Sequence, residues 1–98
     1  MYVVVSPDGV DLEEPDDCGR FHLVARDVGA DEVAGALSGF GALEGDRAWI
    51  EQEALRTLAE GRVPDDWDDR FDAMVAHAAT QGWVDDDGRV QAHVEWEG

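Results

Sequence analysis

The stretch from Pro64 to Trp96 constrains the fold of this chain more than any other. Trp67, Phe71, Met74, Val75 and Ala78 recur at helical spacing and predict a helix with one apolar face. Pro64 sets its start, and Asp65, Asp66, Asp68 and Asp69 crowd the end where the helix dipole is positive. Gly82 stands where a left-handed C-terminal cap belongs, with Trp83 placed to pack back on the last turn. Asp87-Gly88 predicts a turn. Val90, Ala92, Val94 and Trp96 then alternate as a strand whose opposite face carries Gln91, His93, Glu95 and Glu97. A helix and a strand that each expose one apolar face need a common core.

The preceding segments supply material for that core. Tyr2 to Val5 is apolar and β-branched, which predicts a buried strand. Ser6 to Gly19 contains Pro-Asp-Gly and Glu-Glu-Pro-Asp-Asp and reads as a polar loop. From Arg20 to Val28, Phe21, Leu23 and Ala25 alternate with His22, Val24 and Arg26, so one strand face is apolar and the other mixed. A helix opens after Gly29 with Asp31 and Glu32 in its first turn, buries Val33, Ala36 and Leu37, and stops at Gly39. A hairpin turning at Glu44-Gly45-Asp46 follows. A helix from about Gln52 to Glu60 then ends at Gly61. The expectation is one α+β domain over residues 1–98, with three to five short, mainly antiparallel strands packed on about three helices.

Charge decides which partners such a domain can meet. The chain of 98 residues holds 24 Asp and Glu against seven arginines and no lysine, a formal net charge of -17. That field disfavours direct contact with nucleic acid and anionic membranes, and favours basic proteins. The acids are interleaved with Leu, Val, Trp and Phe, unlike a disordered acidic tail. Abundant Ala, Gly, Val, Asp and Arg, with Ile50 the single isoleucine, fit the codon bias of a GC-rich genome. The run from Gly82-Trp83-Val84-Asp85-Asp86-Asp87-Gly88 to Ala92-His93-Val94-Glu95-Trp96 resembles small proteins of high-GC bacteria, a resemblance that implies no activity. Met1 to Pro7 has no basic leader and no long apolar run, so a cytoplasmic location is expected. Cys18 is alone, which rules out an internal disulfide, and its acidic neighbours disfavour a thiolate.

Most catalytic patterns fail on specific residues. Gly39-Phe40-Gly41 begins a dinucleotide fingerprint, but Glu44 occupies the third glycine position and would repel a pyrophosphate. Without lysine there is no phosphate-loop lysine and no Schiff base. Asp85-Asp86-Asp87-Gly88 is similar to a calcium loop, but that register puts Trp83 and Val94 where oxygen ligands belong. His93-Val94-Glu95 has the His-x-Glu of zinc deaminases without their paired cysteines. Ser6 and Ser38 lack the setting of a nucleophile. The order helix, turn, longer helix, hairpin outlines a winged helix-turn-helix, yet its recognition helix would open with aspartates.

One constellation survives as a metal candidate. His93 and Glu95 share a strand face, and His22 lies on a strand that could sit beside it; together they would make a two-histidine, one-carboxylate site. No cofactor is expected, and no oligomeric state follows from the sequence. Three functional readings remain. The first is a non-catalytic cytoplasmic accessory or interaction domain with a basic protein as its partner. The second is a charge mimic whose aspartate rows occupy a nucleic-acid-binding protein. The third is a small metal protein or enzyme using His22, His93 and Glu95.

Overall fold

A computed structural model describes residues 1–97 of the chain. Strands β1 (Tyr2–Ser6), β2 (Gly9–Glu13) and β3 (His22–Arg26) come first. Helix α1 (Ala30–Leu37), the hairpin β4 (Gly41–Glu44) and β5 (Arg47–Ile50), helices α2 (Gln52–Ala59) and α3 (Trp67–Thr80), and β6 (Val90–Glu97) follow. The six strands form one sheet in the order β2-β1-β3-β6-β5-β4.

This corrects the expected architecture of three to five mainly antiparallel strands. The sheet is mixed: β1–β3 and β3–β6, the two pairings made by β3, are parallel, while β1–β2, β4–β5 and β5–β6 are antiparallel. The extra strand is β2, inside the segment read as a polar loop. Val10 and Leu12 alternate with Asp11 and Glu13 there, and the buried pair Val3–Leu12 holds the register. A sheet covered on one side tolerates this mixture because only one face of the strand meets the core. The β1–β3 pairing is parallel because β2 returns the chain to the start of β1 and residues 14–21 carry it past that end to β3; β3–β6 is parallel because the helices and the hairpin intervene between them. The winged-helix outline dissolves too, since β6 lies in the middle of the sheet, between β3 and β5, instead of forming a wing.

Inward-facing side chains come from every second strand position. Val3, Val5, Leu12, Leu23, Ala25, Ala48, Ile50, Ala92 and Val94 form one buried cluster with residues of all three helices. Those are Val33 and Leu37 of α1, Leu55 and Ala59 of α2, and Trp67 and Phe71 of α3. The helices therefore cover one side of the sheet. Val10 of β2 and Phe40 beside β4, near opposite edges, both reach Ala54 and Leu58 of α2, so the sheet curls and α2 bridges its edges.

Local signals behave as their chemistry requires. The Gly29 N–H donates to the Glu32 carboxylate, half of a capping box. Gly82 adopts φ +78°, and the Trp83 and Gly82 N–H groups close the end of α3 on Ala78 and Ala79 carbonyls. On α3, Trp67, Phe71 and Ala78 are buried, whereas Met74 and Val75 are half-buried because the second half of the helix lies against the chain near Cys18 and Trp83. On β6 the burial ends at Val94. Trp96 is 44% exposed, since β5 pairs with β6 only as far as His93. Among the described residues, no helix is long and apolar enough to cross a membrane.

Candidate functional site

The helix-free face of the sheet carries the residues singled out from the sequence. Pairing of β3 with β6 sets His22 opposite His93, and the neighbouring registers extend this pair into a row across all six strands. It runs Glu13, Tyr2, His22, His93, Arg47, Glu44. A second row joins Asp11, Val4, Val24 and Glu95, and a third joins Ala42, Trp49 and Gln91. Val4 and Val24 are buried under the longer side chains around them, while His93 and Glu95 are exposed. The Tyr2 and His22 rings stack with centroids 5.0 Å apart. His22 Nε2 lies 3.9 Å from Glu95 Oε2.

The register thus makes neighbours of His22, His93 and Glu95. It does not focus them: among the described residues, no three His, Cys, Asp or Glu side chains converge as a metal site. Stacking on Tyr2 gives the His22 ring a different anchor.

A second region was not legible in the sequence. Residues Asp16 to Phe21 line one side of a cleft of about 600 Å³, and Arg70, Met74 and His77 of α3 line the other, with Trp83 at its margin. The loop is held from both ends. The Met1 nitrogen donates to the Asp17 and Arg20 carbonyls at 2.7 and 3.1 Å. From α3, Trp67 Nε1 donates to the Pro15 carbonyl and Arg70 Nη1 to that of Asp16 at 2.9 Å. Burial pushes the Cys18 thiol up, with help from Asp17 and Asp16 and against the opposing charges of Arg70 and the N-terminal ammonium. A thiol held protonated is a poor nucleophile.

Several carboxylates are compensated by arginines. Arg56 bridges α2 and α3: Nη1 meets Asp68 at 2.7 Å, Nη2 meets Asp72 at 2.6 Å, and its guanidinium sits 4.8 Å from the Phe71 ring centroid. The turn tested as a calcium loop is closed by its own arginine. Asp85 Oδ1 accepts from the Arg89 and Asp87 N–H groups, and Asp85 Oδ2 from Arg89 Nε at 2.7 Å. Burial acts to raise the Asp85 carboxyl, but these bonds and the Arg89 charge together hold it below its ordinary range. Arg26, Arg62 and Arg70 also pair with acids, which leaves Arg20 and Arg47 as the arginines without an ion pair among the described residues. The fold is a curled mixed sheet with helices on one side and the other side open. No family model, curated protein or solved structure matches this chain.

Proposed function

We propose that this protein is a non-catalytic interaction domain that presents the helix-free face of its sheet to a basic protein segment. One observation carries the reading: an ordered band of Tyr2, His22, His93 and Trp49 crosses the sheet on the side that no helix covers. Aromatic side chains give docking surfaces large contact area at low entropic cost. Asp11, Glu13, Glu44, Glu95 and Glu97 border the band, while Arg26 is already engaged by Glu97 at 3.1 Å and Arg47, beside His93, is the one cation of this face without an ion pair among the described residues. The bordering charge selects a cationic partner and speeds its approach. The remainder of the acids supports solubility and excludes nucleic acid.

The test is an NMR titration of the labelled protein with a short arginine-rich peptide. Amides of Val4, Val24, Trp49 and His93 should shift together and saturate, and Trp49→Glu should weaken binding. Shifts confined to Asp65–Asp72 would overturn the assignment, because that end of α3 would then be an unselective polyanion. Duplex DNA at low salt should produce no complex.

A further inference from the structure

We propose that the cleft between the Asp16–Phe21 segment and α3 is a binding site for a small aromatic carboxylate. This rests on the cleft alone and stands apart from the role of the sheet face. At about 600 Å³ the cleft falls within the size range of small-molecule sites. Its lining supplies two different kinds of recognition.

The first is a surface for a flat ring. Phe21, Met74 and Val90 give apolar walls, and Trp83 meets His77 edge to face with centroids 6.5 Å apart. Trp83 remains 44% exposed, one of two large apolar side chains so exposed among the described residues. A ring inserted beside it would cover that surface, and offset or edge contacts between aromatic rings add to the gain from burial.

The second is a cation without a partner. Arg20 lines the cleft and makes no ion pair or side-chain hydrogen bond among the described residues, in a chain with 24 acids. Arg70 is occupied differently. Its Nη1 holds the Asp16 carbonyl and so braces the loop, while its Nε, 3.5 Å from Asp66, is buried and has no hydrogen-bond partner among the described residues. The Asp17 carboxylate is turned onto its own loop, accepting from the Gly19 N–H at 3.1 Å. Arg20 is the guanidinium of the cleft that no acid or carbonyl engages among the described residues, and a guanidinium fork matches a carboxylate. Asp16 also lines the cleft, so a carboxylate is favoured on the Arg20 side, and comparison with a cationic probe decides between the two charges. Acids beyond the cleft are screened over about 8 Å at physiological ionic strength, so the charges that line the cleft set the local preference.

Three probes with one ring system separate the outcomes: indole-3-acetate, its methyl ester and tryptamine, each titrated into labelled protein and followed by amide and indole N–H shifts. Indole-3-acetate should saturate, with shifts at Phe21, Met74 and the Trp83 indole. It should bind about tenfold more tightly than the ester, the difference one charge-assisted hydrogen-bonded pair supplies. Tryptamine should bind most weakly. Arg20→Gln, at an exposed side chain, should leave the fold intact and erase the preference for the carboxylate, whereas Trp83→Ala should remove ring binding. No saturation at millimolar probe, equal affinity for acid and ester, tighter binding of tryptamine, or a preference that survives in Arg20→Gln would each overturn the assignment.

Discussion

The two faces of the sheet are made by the same strands, yet they have opposite fates. Toward the helices, Val3, Leu23, Ala25, Ala48 and Ala92 have no exposed surface and share one apolar cluster with residues of all three helices. One residue along each strand, the other face carries Tyr2, His22, His93, Arg47 and Glu95. Pleating sends successive side chains to opposite sides, so one chain can write a packing surface and a recognition surface over the same backbone. Stability should therefore depend on the inner set and binding on the outer set. That division can be broken by substitutions of graded effect.

The largest effect is expected at Phe71, fully buried and stacked on Trp67 at 4.8 Å. Phe71→Ala should cost about 3–5 kcal/mol, measured by equilibrium unfolding in urea. It also removes the ring beneath Arg56. An unfolding curve superimposed on that of the parent would mean that the inner face is not the stabilising one.

A neighbouring pair on β3 makes the sharpest comparison. Leu23 faces inward with 0% exposure, and His22 beside it faces out. Leu23→Ala should cost about 2–5 kcal/mol. His22→Ala should cost about 1 kcal/mol or less, because it loses one exposed ion pair and one stacking contact. Equal costs would erase the distinction between the faces.

Gly41 tests the sheet edge. A Cβ there would run into the Trp49 carbonyl, in backbone that cannot yield without disturbing the β4–β5 register. Gly41→Ala should destabilise by about 1–3 kcal/mol, the usual scale of overpacking, seen as a lower urea midpoint.

A smaller effect, dependent on pH, is expected at Asp85. Its carboxyl is held below the ordinary value of about 3.9, so the unfolded chain takes up its proton first as pH falls. Its contribution is complete above that ordinary value and is lost as pH drops through the lower value of the folded state. The melting temperature of Asp85→Asn should lie a few degrees below the parent at neutral pH, and the gap should close in acid. A gap that is constant from neutral to acid pH would show that packing, not charge, holds the turn.

Salt should produce the mildest change. The ion pairs are mostly exposed and worth little, while the net charge of -17 repels itself over longer distances. Raising sodium chloride from about 0.01 M to 1 M shortens the Debye length from about 30 Å to 3 Å. The melting temperature should rise with it. A falling midpoint would assign more of the stability to bridges such as Arg56 with Asp68 and Asp72.

Helices and turns were the most legible parts of this chain. Glycines at 39, 61, 82 and 88 all adopt positive φ, next to the apolar periodicities they punctuate. These signals lie within one or two turns of each other, so local chemistry is enough to read them. The strand β2 was hidden because the uncovered side of the sheet lets Asp11 and Glu13 alternate with Val10 and Leu12, and the resulting polar sequence imitates a loop. Trp96 followed the apolar alternation of β6 and is still half-exposed, since the partner strand stops short of it.

The candidate site divides in the same way. That His93 and Glu95 share a face follows from a period of two. That His22 faces His93 depends on β3 pairing with β6 in parallel across some 65 intervening residues, a distance over which local propensity carries no information. The cleft is further still from the sequence. Arg20, His77 and Trp83 meet there because the Asp16–Phe21 segment is drawn to α3 by Trp67 and Arg70.

The sequence alone determined the helices, the glycines that end them, the apolar and polar faces of β3 and β6, and the sign of the molecule's field. Each is set by side chains acting on near neighbours or by a sum over all charges. The tertiary structure decided the direction of the two pairings made by β3, the bare side of the sheet and the groups that share a cleft. Those depend on which distant surfaces bury one another, a choice made only when the whole core closes.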